Sequence, residues 1–156
     1  MSCDAVALSA FLWLASTGPA HPPQLVYAVS APVTPPSSVA GEPMFADIVK
    51  RAGKLRGEIA KYRKAGAGPL PHLADFQAQV GELSDLDMKG HIELKARGTD
   101  GDLKCILRGI SQDLPLKLKD VVDATDLKIR DNALRELDFL LRDNVEVITS
   151  PPAPPV

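Results

Sequence analysis

Apolar residues recur at helical spacing along most of this chain. Phe45, Ile48, Ala52, Leu55, Ile59 and Tyr62 are separated by three or four positions, which at 3.6 residues per turn places them on one face. Val49 and the small residues Ala46, Gly53 and Ala60 widen that stripe, so the pattern predicts a first helix able to touch two neighbours. Gly53 and Gly57 each cost about 1 kcal/mol relative to alanine inside a helix; close approach of another backbone is the reason the pattern suggests for Gly53. The periodicity stops at Gly66-Ala-Gly-Pro-Leu-Pro71, which reads as a loop.

A second periodic run extends from His72 to about Ala96, with Leu73, Phe76, Val80, Leu83 and Leu94 on one stripe. Asp87 and Gly90 fall on the same stripe. Burying a carboxylate is costly, so the sequence predicts either a bend there or a rotation of the buried face toward Leu86 and Met88. Gly98 suits the left-handed residue that ends many helices, and Thr99 with Asp102 resembles a capping box. Leu103, Leu107, Ile110 and Leu114 mark a third helix, Leu118, Val121 and Val122 continue its face, and Pro115 predicts a kink or a restart. Leu127, Leu134, Leu137, Leu140 and Leu141 mark a fourth, with Thr125 or Asp126 as its cap. No Gly or Pro separates residues 116 and 150, so one bent helix is the alternative. Val145-Glu-Val-Ile148 alternates and suggests a short extended tail.

Four amphipathic segments with short connections predict an all-α fold, a small antiparallel bundle of three to four helices over residues 44–147. A three-helix or hairpin unit that forms a homo-oligomer is the alternative. A length of 156 residues, with 45% apolar and 24% charged positions, fits one domain. The flanks differ. Residues 1–20 hold the uncharged run Ala5 to Ala15, too short for a helix to span a bilayer but of the length of a signal-peptide core. Gly18-Pro19-Ala20, or Ala28-Val29-Ser30 further on, offers a cleavage site, although Met-Ser-Cys-Asp before the run carries no Lys or Arg. Residues 21–43 contain Pro22, Pro23, Pro32, Pro35, Pro36 and Pro43 and predict a disordered, extended linker. Residues 148–156 form a similar Pro-rich tail.

Catalytic and metal motifs are missing from the sequence. None of Glu42, Glu58, Glu82, Glu93 or Glu136 has a His three positions on, as a di-iron bundle requires, and there is no HExxH, CxxC or G-x-S-x-G. No catalytic residue, metal or cofactor is therefore expected. Gly98 to Asp102 lacks the remaining ligands of an EF-hand and reads as a turn. Asp87 and His91, four apart, read as an exposed hydrogen-bonded pair. Cys105, beside Leu103, Ile106 and Leu107, reads as a small buried hydrophobe, and Ser111 as a residue that solvates or caps the turn before Pro115. A bundle holding a small molecule or metal near Asp87, His91 and Cys105 is one functional alternative.

Charge supplies the sharpest boundary. All 18 Lys and Arg fall from Lys50 onward. The first helix carries Lys50, Arg51, Lys54, Arg56, Lys61, Arg63 and Lys64 against Asp47 and Glu58, seven positive less two negative, or +5, in a chain whose net charge is −2. Such a helix binds an acidic protein or an anionic surface, or else its charges pair internally with Asp120, Asp123, Asp131 and Glu136. Nucleic acid is not expected, because aromatics are 4% and the domain as a whole is not basic. The sequence thus predicts a non-enzymatic exported protein, periplasmic or secreted, that acts by protein–protein or envelope-surface contact through those seven residues. A cytoplasmic helical adaptor is the other alternative.

Overall fold

The computed structural model describes residues 39–68, 70–98 and 101–150. The signal-like segment, nearly all of the Pro-rich linker, Thr99 of the suggested capping box and the tail from residue 151 lie outside the described residues. Four helices make up the described chain: α1 (Pro43–Lys64), α2 (Leu73–Arg97), α3 (Gly101–Asp123) and α4 (Leu127–Thr149). Each packs on the next, and α4 closes back on α1, while the diagonal pairs approach only through side chains at the bundle axis. Cross-helix bonds fix the directions. Arg51 reaches Glu82 and Lys54 reaches Gln79 between α1 and α2; Ser84 meets Ser111 and His91 meets Lys104 between α2 and α3. Lys117 approaches Glu136 between α3 and α4, and Arg56 and Arg63 meet Asp138 and Asp131 between α4 and α1. In the three seams with two bonds one partner number rises as the other falls, and the three residues between α3 and α4 turn that pair antiparallel as well, so the bundle is up-down-up-down.

The apolar stripes meet along its axis. Phe45, Ile48, Leu55 and Ile59 of α1, Phe76, Val80, Leu83 and Leu94 of α2, Leu107 and Leu114 of α3, and Leu134, Leu137, Leu141 and Ile148 of α4 are all buried. Burying each large side chain contributes roughly 1.5–3 kcal/mol, and the four stripes together form one continuous core. Two positions assigned to the apolar face, Val122 and Leu127, are instead exposed, being at the ends of their helices. Gly53 is also exposed, with open space around the position of a Cβ; the close approach occurs at Gly90, where a Cβ would lie 3.2 Å from Leu107 and 3.3 Å from Phe45. That fit keeps Asp87 and Gly90 on the buried face of one continuous α2, while Leu86 and Met88 are half-buried.

Pro115 lies within α3 and does not end it. A proline has no N–H, so the carbonyl four residues back, that of Ser111, loses its helical donor. The Ser84 hydroxyl of α2 donates to that carbonyl at 2.7 Å, so the neighbouring helix repairs the break. Ser111 is buried rather than solvating a turn, and its own hydroxyl donates to the Arg108 carbonyl at 3.0 Å. Helices α3 and α4 are separate: Asp126 caps α4 by accepting from the Ile129 N–H at 2.8 Å. Val145 to Ile148 is helical, not extended, because Leu141, Asn144 and Ile148 keep the three-and-four spacing to the end. Gly98 closes α2 in the left-handed region, at φ 69°.

One end of the bundle carries the α1–α2 and α3–α4 turns. There Gly66 (φ 87°), Ala67 (φ 53°) and His72 (φ 58°) all adopt left-handed backbone, a conformation unfavourable for residues other than glycine. The Arg130 guanidinium holds this end together, donating to the carbonyls of Ala67 (3.3 Å), Gly68 (3.4 Å) and Ala124 (3.0 Å).

Candidate functional site

The seven basic residues of α1 divide by chemistry and by direction. Arg51 bonds to Asp47 and Glu82, both at 2.8 Å. Arg56 bonds to Asp138 at 3.0 Å and Arg63 to Asp131 at 2.8 Å. All three arginines therefore lie in the seams with α2 and α4, where the planar guanidinium can reach across to a carboxylate. The hydrogen bond from Arg63, joined by Arg135 on the same carboxylate, holds Asp131 below the usual range. These contacts are internal cross-links, in part to the acidic residues that the sequence offered as their partners.

The lysines point elsewhere. At 100° per residue, Lys50, Lys54, Lys61 and Lys64 fall within roughly 80° of the α1 circumference, in a row about 21 Å long. All four are exposed. Lys54 donates to Gln79 at 2.7 Å, whereas Lys50, Lys61 and Lys64 form no ion pair among the described residues. Ala46, Gly53, Gly57 and Ala60 occupy the same outward side and are exposed too. The result is a low, smooth strip of backbone edged by flexible ammonium groups, open along its length.

The second polar feature is inside the core. Asp87 and Asn144 are both fully buried, and the Asn144 Nδ2 donates to Asp87 Oδ2 at 2.9 Å. Asp87 Oδ1 and Asn144 Oδ1 have no hydrogen-bond partner. Burial pushes the Asp87 carboxyl up to about 8, against a smaller lowering by the Asn144 bond. A protonated Asp87 carries the one donor that the two lone oxygens lack, so neutrality and hydrogen bonding favour the same state. Asp87 and His91 are thus not an exposed pair. His91 is itself buried and its Nδ1 donates to the Lys104 carbonyl at 2.6 Å. Cys105 is half-buried, where its apolar neighbours suggested a buried residue. Asp87, His91 and Cys105 each have separate engagements, and no group of three or more His, Cys, Asp or Glu able to hold a metal occurs among the described residues.

Residue type predicted the basic helix but not its division, because seam and outward positions differ only in register. Asn144 carried a readable signal: it is the polar member of a row running Leu137, Leu141, Asn144, Ile148, and such a residue asks for a partner at the same depth. No helix of the described residues is long and apolar enough to cross a membrane. No family model, curated protein or solved structure matches the chain.

Proposed function

We propose that this protein is a non-enzymatic, exported contact module whose lysine strip on α1 meets an acidic protein or an anionic envelope surface. The observation that supports this reading is the division of charge on α1. The arginines serve the bundle, and the four lysines left on the outward side lie in one row. Positive groups in a row attract an extended acidic surface more effectively than scattered ones. The small residues between them let that surface approach the helix backbone. The apolar run at residues 5–15 is the basis for export, with a periplasmic or secreted location.

Two measurements test the proposal. Binding of the purified chain to vesicles containing phosphatidylglycerol and to polyglutamate is compared with binding to neutral phosphatidylcholine vesicles. Retention on at least one anionic probe, weakened by added salt and abolished by Lys50→Gln, Lys54→Gln, Lys61→Gln and Lys64→Gln together, is the expected result; equal binding by this variant, or no binding to either probe, overturns it. N-terminal sequencing of the protein recovered from its native cell tests export. Cleavage after Ala20 or near Ser30 is expected, and an intact Met1 or Ser2 in the cytoplasmic fraction supports the adaptor alternative.

A further inference from the structure

A cavity of about 570 Å³ opens between the C-terminal part of α1 and the start of α2, a volume in the range of small-molecule sites. It lies away from the Asp87–Asn144 pair, at the end of the bundle held by Arg130, and shares Lys61 with the outward strip. One wall is aromatic. The Tyr62 and Phe76 rings meet edge to face with centroids 5.5 Å apart, and the Tyr62 hydroxyl donates to the Pro71 carbonyl at 3.0 Å, so the tyrosine ring is fixed in place. Leu70 adds apolar surface, and carboxylates stand on both sides, Glu58 from α1 and Asp75 from α2. Their fields converge on the Tyr62 hydroxyl, whose ionisation is held back first by burial and then by Glu58 and Asp75. Lys61 stands exposed at the rim, Lys54 lies 4.0 Å from Glu58, and the His72 ring lies 3.7 Å from Asp75.

We propose that this cavity binds a small amphipathic organic cation, an ammonium group on an aromatic or alkyl body. The ammonium group sits between Glu58 and Asp75, and the apolar body lies against Leu70 and the Tyr62 ring, which the buried Phe76 backs from behind. An anionic ligand would be repelled by both carboxylates, and a purely apolar one would strip water from them without offering them a contact.

The test uses three probes of one shape with the full-length chain at pH 8: phenethylammonium, the neutral 2-phenylethanol and the phenylacetate anion. Binding is followed by the side-chain NMR signals of Tyr62, Phe76 and Leu70. Phenethylammonium is expected to shift these signals saturably and to bind more tightly than either other probe. Glu58→Gln with Asp75→Asn should weaken it by about fivefold, the scale of two partly exposed charge contacts, while 2-phenylethanol binding stays unchanged. Lys61→Gln should strengthen phenethylammonium binding, and because all three positions are at the surface, the far-UV spectrum should report an intact bundle in each variant. Tighter binding of phenylacetate, equal binding of all three probes, or no saturable shift by phenethylammonium overturns the proposal.

Discussion

Replacing Asp87 with asparagine tests the energetic meaning of the buried polar pair. In the folded chain the Asp87 carboxyl titrates near 8, against an ordinary value of 3.8, so the native state keeps a proton that the unfolded chain releases above about pH 4. For a raised carboxyl the sign is fixed. The site's stabilising contribution is complete below the unfolded value, declines as pH rises from about 4 to about 8, and is level above that. Each pH unit in the window is worth about 1.4 kcal/mol, so the wild-type chain should lose roughly 3 kcal/mol between pH 5 and pH 7 through this group. The amide that Asp87→Asn introduces cannot ionise. It offers an N–H₂ for the lone Asn144 oxygen and a carbonyl for the Asn144 N–H₂, so both contacts are retained without the charge. Asp87→Asn should therefore flatten the pH dependence and exceed the wild type at pH 7 by up to about 4 kcal/mol, with a gap that narrows toward pH 4. Urea unfolding followed by far-UV circular dichroism at pH 5, 7 and 8.5 measures this directly. Equal wild-type midpoints at pH 5 and pH 7, or a D87N chain weaker than wild type at every pH, would refute the reasoning.

Other expectations follow from the packing. Ser84→Ala should cost about 1–3 kcal/mol by leaving the Ser111 carbonyl without a donor, and much less in a Pro115→Ala background, where the helix supplies its own N–H; a thermal-melt double-mutant cycle reads the coupling. Gly53→Ala and Gly57→Ala should each stabilise by about 0.5–1 kcal/mol, since nothing stands within 4 Å of either added Cβ, while Gly90→Ala should forfeit that gain against Leu107 and Phe45; chemical denaturation of the three variants ranks them. Asp126→Ala should cost about 1 kcal/mol by uncapping α4, visible as faster amide exchange in its first turn.

Fold and site were legible to different degrees, for physical reasons. Helix number and class followed from spacings of three and four, which the bundle core obeys closely in α1. Helix ends were readable where a single residue decides them, as at Gly98 and Asp126. The chain resisted reading where a tertiary partner reverses a local rule. Asp87 looked like a fault in the α2 stripe because its partner Asn144 lies on α4, and Pro115 looked like a break because the repairing Ser84 lies on α2. The cavity depends on residues from two helices and the loop between them, and its carboxylates are unremarkable in one dimension.

The Arg130 clasp has a consequence for how the molecule comes apart. The α1–α2 and α3–α4 hairpins are each local in sequence, and two such hairpins could in principle melt one after the other. A single guanidinium that spans the turn of the first hairpin and the turn of the second makes separation at that end a shared event. The far end is tied differently: the α2–α3 connection links the hairpins covalently, His91 bonds to the Lys104 carbonyl across it, and Arg97 clamps the start of α1 through Glu42. With a tie at each end, the two hairpins should open together in one cooperative step.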